Sequence, residues 1–121
     1  MIEELQIAIY NKLSNIHECS IDELPKDSEN NDFDFTNIGI FFTLNTASGL
    51  GSRNAFTLEI YLISIKDNKL AMQSLAEEID TEINNVPFNG AIIRKSGVWI
   101  NSFIDNDGLQ NILLTYSVDQ F

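Results

Sequence analysis

The sequence predicts an α+β domain over residues 1–121: a curved, mostly antiparallel four-stranded sheet with two helices on one face, in the order α-β-β-α-β-β. Three observations carry this prediction. Apolar residues recur at the helical period near the N-terminus and again in the middle of the chain. Between and after those segments, apolar and polar residues alternate with period two, as in strands buried on one face. Finally, Asn106-Asp107-Gly108 separates two apolar runs, a strong hairpin signal.

The first helix rests on Ile2, Leu5, Ile9, Leu13 and Ile16, with Ala8 widening the stripe. Glu3 and Glu4 suit the positive end of its dipole, and the helix should end near Asn15. Residues 18–37 are rich in Asp, Glu, Asn and Ser around Pro25, which predicts a solvated connection that admits a short strand at Cys19 to Ile21. A strand follows over 33–44, with Ile38, Ile40, Phe42 and Leu44 on one face; Phe41 interrupts the polar face and marks it for partial cover. The second strand, over 55–65, turns Phe56, Leu58, Ile60 and Leu62 one way and Tyr61, Ile63 and Ile65 the other. Its far half is therefore expected to be buried on both sides, and the strand central. Asp67 is the expected N-cap of the next helix, over 68–84, whose stripe is Met72, Leu75, Ala76, Ile79 and Ile83. Pro87 stops that helix and makes Val86 extended. Ala91 to Ile93 reads as a short run broken at Ser96-Gly97, continued by 98–104, and the last strand covers 109–118 with Ile112, Leu114, Tyr116 and Val118 on one face.

Composition narrows the function. Eighteen acids against seven bases give a net charge of −11, a surface that repels phosphates and disfavours nucleic-acid binding. Such acidity suits solubility or a basic protein partner. One Cys, Cys19, excludes an internal disulfide and a Cys-based zinc cage. Met1-Ile2-Glu3-Glu4 opens on acid rather than on the bases of a secretory leader, and no apolar run approaches the ~20 residues of a membrane span, so no leader and no membrane are expected.

No spacing assembles a catalytic site. His17 and Cys19 are two residues apart in a connection, with no third group to orient them, so an exposed His and an inert Cys are expected. Asp27, Glu29, Asp32 and Asp34 offer oxygen ligands but lack the spacing and central glycine of an EF-hand loop. Ser48-Gly49-Leu50-Gly51-Ser52 has the glycines of a phosphate loop without its Lys or its following helix. Glu77, Glu78, Asp80 and Glu82 should form a solvated helix face. The expectation is a protein that is not an enzyme, with no cofactor and no metal site. Its candidate interface residues are Ser48, Gly49, Leu50, Gly51, Ser52 and Arg53 in a loop expected to be mobile until assembly, together with Trp99. Trp99 is the only Trp, and both a core and an interface role stay open for it.

These features together carry a resemblance: a helix over 2–15, an acidic segment with Leu24-Pro25, the strand Phe56-Thr57-Leu58-Glu59-Ile60-Tyr61-Leu62-Ile63-Ser64, a long helix over 68–84 and a closing hairpin. Nearly the whole chain resembles the tail-completion, or tail-terminator, proteins of long-tailed bacteriophages and prophages. The likeness lies in element order and strand texture rather than in a motif. It implies a ring of copies, a hexamer on the tail, that stops growth of the tail tube and joins it to the filled head. The implied partners are further copies of the chain, the tail tube protein and a head-tail connector protein. The implied location is the virion tail, assembled in a bacterial host's cytoplasm. The final strand departs from the family in carrying no basic tail. The competing class is a cytoplasmic small-molecule or peptide-binding module on the same core.

Overall fold

The computed structural model describes residues 2–24, 33–46, 54–85, 87–88 and 90–120. Helix α1 (Ile2–Ser14) carries Glu3 and Glu4 in its first turn and Lys12 in its last, each at the end of the dipole that favours its charge. Leu5, Ile9 and Leu13, four residues apart, are buried. The amides of Ile16 and His17 both bond back to Leu13 O and close the helix. A two-residue strand β1 (Ser20–Ile21) follows, then β2 (Gly39–Thr46) and β3 (Asn54–Ser64). A 3-10 turn (Lys66–Asn68) leads into α2 (Lys69–Ile83), and β4 (Pro87–Phe88), β5 (Ala91–Ile104) and β6 (Gln110–Gln120) complete the chain.

The sheet order is β1-β2-β3-β6-β5-β4. Every neighbouring pair is antiparallel except β1 with β2. Two hairpins, β2–β3 and β5–β6, join along the whole of β3, from Asn54 opposite Gln120 to Ser64 opposite Gln110. That register puts Phe42, Ile60 and Leu114 in one row across the sheet. With Ile40, Leu58, Leu62, Ile112, Tyr116 and Val118 they pack against α1 and against Met72, Ala76, Ile79 and Ile83 of α2 in a single core. Each fully buried aliphatic side chain there contributes roughly 1.5–3 kcal/mol of transfer free energy.

The β5–β6 turn is fixed by Asp105. Its Oδ1 accepts the amides of Asp107 (2.9 Å) and Leu109 (3.0 Å), and its Oδ2 accepts Asn111 Nδ2 (2.8 Å). Those bonds, the Asn111 amide foremost, hold the carboxyl below its usual value. Gly108 takes a left-handed φ of 78° in the same turn, a conformation that glycine adopts without strain.

Several expectations are corrected. The sheet has six strands, not four, because β1 and β4 add a two-residue strand at either side. The segment 33–38 is a turn rather than the start of β2. Asp34 Oδ1 accepts the amide (3.0 Å) and hydroxyl (2.8 Å) of Thr36, bonds to the chain's own backbone that compete with a strand ladder. Buried Ser64 ties this turn down by donating to Phe35 O (2.9 Å), with Asn37 O at 3.2 Å, while accepting from Asn68 Nδ2 (2.7 Å). Asp67 lies within the 3-10 turn, and the N-cap position of α2 belongs to Asn68, whose side chain instead bonds Thr36 O and Ser64. Ser96-Gly97 does not end the strand; β5 runs through with a register shift. Strand β3 is central as expected, yet Tyr61 and Ile63 are only half-buried. Tyr61 is covered from within the sheet, where Phe41 stacks on it with centroids 4.5 Å apart and planes at 7°.

Candidate assembly surfaces

The two sides of the sheet differ in shape and charge. On the β5 side, β4 and the residues that follow α2 occupy the strand edge as far as Lys95. The amide of Asn85 donates to Ile93 O (2.7 Å), and Asn84 Oδ1 accepts the amide of Lys95 (3.1 Å). Beyond that point Lys95 faces Tyr116 while Ile100 faces Leu114, so residues 96–99 cover a step that Thr115 takes alone. Such bulges bend a strand away from its neighbours. The stretch that follows, Val98-Trp99-Ile100-Asn101-Ser102-Phe103-Ile104, contains no charge. Among the described residues no strand lies along its outer edge. Val98 is 81% exposed, Ile104 53%, Phe103 44% and Ile100 36%. Monomeric proteins guard open edges with charge, proline or a covering element. This one carries neither charge nor proline over 98–104.

Trp99 sits at the root of that stretch. It is half-buried against the core, its ring 6.2 Å from that of Tyr116, on the helix side rather than on the outer sheet face. Lys95 Nζ lies over the indole at 4.1 Å and forms a 3.1 Å ion pair with Asp80. Asp80 in turn accepts the Tyr116 hydroxyl at 2.8 Å. Four side chains from α2, β5 and β6 thus close a loop of contacts that anchors the exposed run to the core. Burial, aided by Asp80, pushes the Tyr116 phenol well above its ordinary value.

On the β1 side the surface is concave. A cleft of about 220 Å³ is lined by His17, Glu18, Ser20, Phe33, Ile38 and Ile40. Glu18 on that lining is exposed and acidic, as are Asp22 and Glu23 just after β1. Gly39 floors this region closely, since a Cβ there would stand 2.8 Å from Leu24 Cδ2 and 3.0 Å from Phe33.

Burial pushes the Cys19 thiol up, away from the reactive thiolate. His17 is half-buried rather than exposed, with Nδ1 2.8 Å from Glu18 O. Among the described residues no group of three or more His, Cys, Asp or Glu could hold a metal. No helix there is long and apolar enough to cross a membrane. The loop residues Ser48, Gly49, Leu50, Gly51, Ser52 and Arg53 lie outside the described residues, as do Asp27, Glu29 and Asp32. The open β5 edge and the cleft were not singled out from sequence. The uncharged run 98–104 was the available signal for the first; the second is made by segments distant in the chain and had none.

No protein-family model matches the sequence, and neither does any curated protein sequence. Solved structures match the fold. One solved protein chain superposes with a TM-score of 0.63 at 12% identity, over 100% of this chain and 96% of its own. Another, from the virion of a native gene transfer agent particle, superposes with a TM-score of 0.55 at 15% identity, over 96% of this chain and 93% of that one. At these identities the likeness is one of fold.

Proposed function

We propose that the chain is a structural protein of a phage-like particle, and specifically a tail terminator. In this reading it caps the tail tube as a hexameric ring, contacts the tube protein on one side and a head-tail connector protein on the other, and performs no catalysis. It belongs to the virion tail after assembly in the host cytoplasm. The observation that carries the reading is the end-to-end fold likeness to a chain of the gene transfer agent virion. The uncharged open edge of β5 supports an assembly role, because such an edge favours association with another chain. The acidic surface suits a ring through which DNA must slide without sticking. The loop 48–53 is assigned to contacts made on the tail, with Arg53 as its charged group.

Deleting the gene in a particle-producing cell and imaging the particles tests this. Tails of uncontrolled length and unattached filled heads are expected. Tails of normal length joined to heads would refute the terminator role. The competing reading, a small-molecule or peptide-binding module, has the cleft beside β1 in its favour.

A further inference from the structure

We infer that copies of this chain join head to tail, with the apolar β5 edge of one copy, led by Val98, seated in the acidic cleft beside β1 of the next. The inference rests on the ring reading proposed above and names the surfaces that would build the ring. The exposed β5 edge and the cleft lie at opposite sides of one sheet, so the edge of a copy cannot reach its own cleft and can only meet that of a neighbour. A contact between two different patches is heterologous, and repeated with a closing rotation it yields a ring.

Size and charge both fit. Cavities of about 150 Å³ accept a benzene-sized apolar group, and the cleft is larger, with Phe33, Ile38 and Ile40 on its wall. Val98 is the most exposed of the large apolar side chains that flank the open edge. Arg94, just before the exposed run, is exposed and basic, while Lys95 beside it is held by Asp80 and Trp99. Glu18 on the cleft lining, and Asp22 and Glu23 just after β1, are exposed and acidic. Opposite charges on the two mating surfaces favour this pairing over cleft against cleft, where acid would meet acid. An antiparallel pairing of two β5 edges is the alternative occupant, and it leaves the cleft unused.

Two surface variants separate these cases. Val98→Glu removes the knob and places a negative charge where the acidic cleft would meet it. Asn37→Trp, at an exposed position on the cleft lining, fills the hole. Circular dichroism and thermal melts establish that both fold. Sedimentation velocity then reads association up to about 1 mM, the weak limit of a specific contact. The wild type should associate with increasing concentration. Each variant alone should weaken that association about tenfold or more, as truncation of a central anchor does. An equimolar mixture should form a one-to-one dimer and stop there, because each variant retains the surface that the other has lost.

An Asn37→Trp protein that associates like the wild type overturns the inference in favour of β5 edges pairing with one another. A wild type that is monomeric at about 1 mM, with no dimer in the mixture, overturns it outright. Counting each variant in purified particles separates this from the broader reading. Variants incorporated at wild-type levels would exclude this contact while leaving a tail role standing. A wild type absent from particles would remove the tail role and leave the mixture to decide the contact.

Discussion

At the scale of single residues, the contacts among Tyr116, Asp80, Lys95 and Trp99 hold the most information. Tyr116 was legible from sequence as one apolar position in an alternating strand. Its partner Asp80 read only as part of a solvated helix face, because a contact across 36 residues leaves no local trace. Tyr116→Phe should cost about 1 kcal/mol in chemical denaturation, a typical net value for one hydrogen bond, with Asp80 still paired to Lys95. The phenol also links stability to pH. Its pKa is raised in the folded chain, so above the ordinary value of 10.0 the unfolded chain releases this proton first. The associated stability is complete below pH 10.0 and is lost as pH rises beyond it. Thermal melts should therefore fall above about pH 10, and less steeply for Tyr116→Phe than for the wild type. Equal slopes would mean that other groups dominate the alkaline loss. In the same core, Ile60 is fully buried at the centre of the β2-β3-β6 row, and Ile60→Ala should cost about 2–5 kcal/mol. A loss below about 0.5 kcal/mol would contradict its inward placement.

At the scale of elements, what the sequence revealed followed periodicity. Helix α2 was readable from Met72, Ala76, Ile79 and Ile83, which are all buried, and β6 from Ile112, Leu114, Tyr116 and Val118. Strand β1 answers to the short strand admitted at Cys19 to Ile21, whereas β4 was not read; both are two residues long, too short to show a period, and exist because tertiary neighbours hold them. The same limit explains β5. Ser96-Gly97 looked like a break, whereas pairing to β6 carries the strand through with a bulge. Turn residues were half legible: Asp107-Gly108 marked the hairpin, but the carboxylate that organises it is Asp105. The amphipathic reading of α2 predicts opposite outcomes for neighbouring positions. Ile79→Asp should unfold the domain by burying an unpaired charge, while Glu78→Lys should melt near the wild-type temperature. Similar melts for the two would show that the helix does not present Ile79 to the core.

At the scale of the molecule, the α+β class and both hairpins followed from local pattern. The asymmetry between an apolar basic edge and an acidic cleft did not, because it depends on which strands end up outermost. That asymmetry offers two different patches, as a head-to-tail contact between copies requires. The loop proposed to engage partners predicts a separable defect. Removing residues 48–52 and rejoining the flanks should leave a folded protein that no longer caps tails. Normal capping, with normal yields of infectious particles, would reduce the loop to a connection. The most direct measurement of the central claim is to label the chain in purified particles with an epitope tag and locate it by gold labelling in the electron microscope. Label is expected at the junction of head and tail, one focus on each particle. Particles that carry no label there, from cells in which the tagged chain is produced and folded, would contradict it.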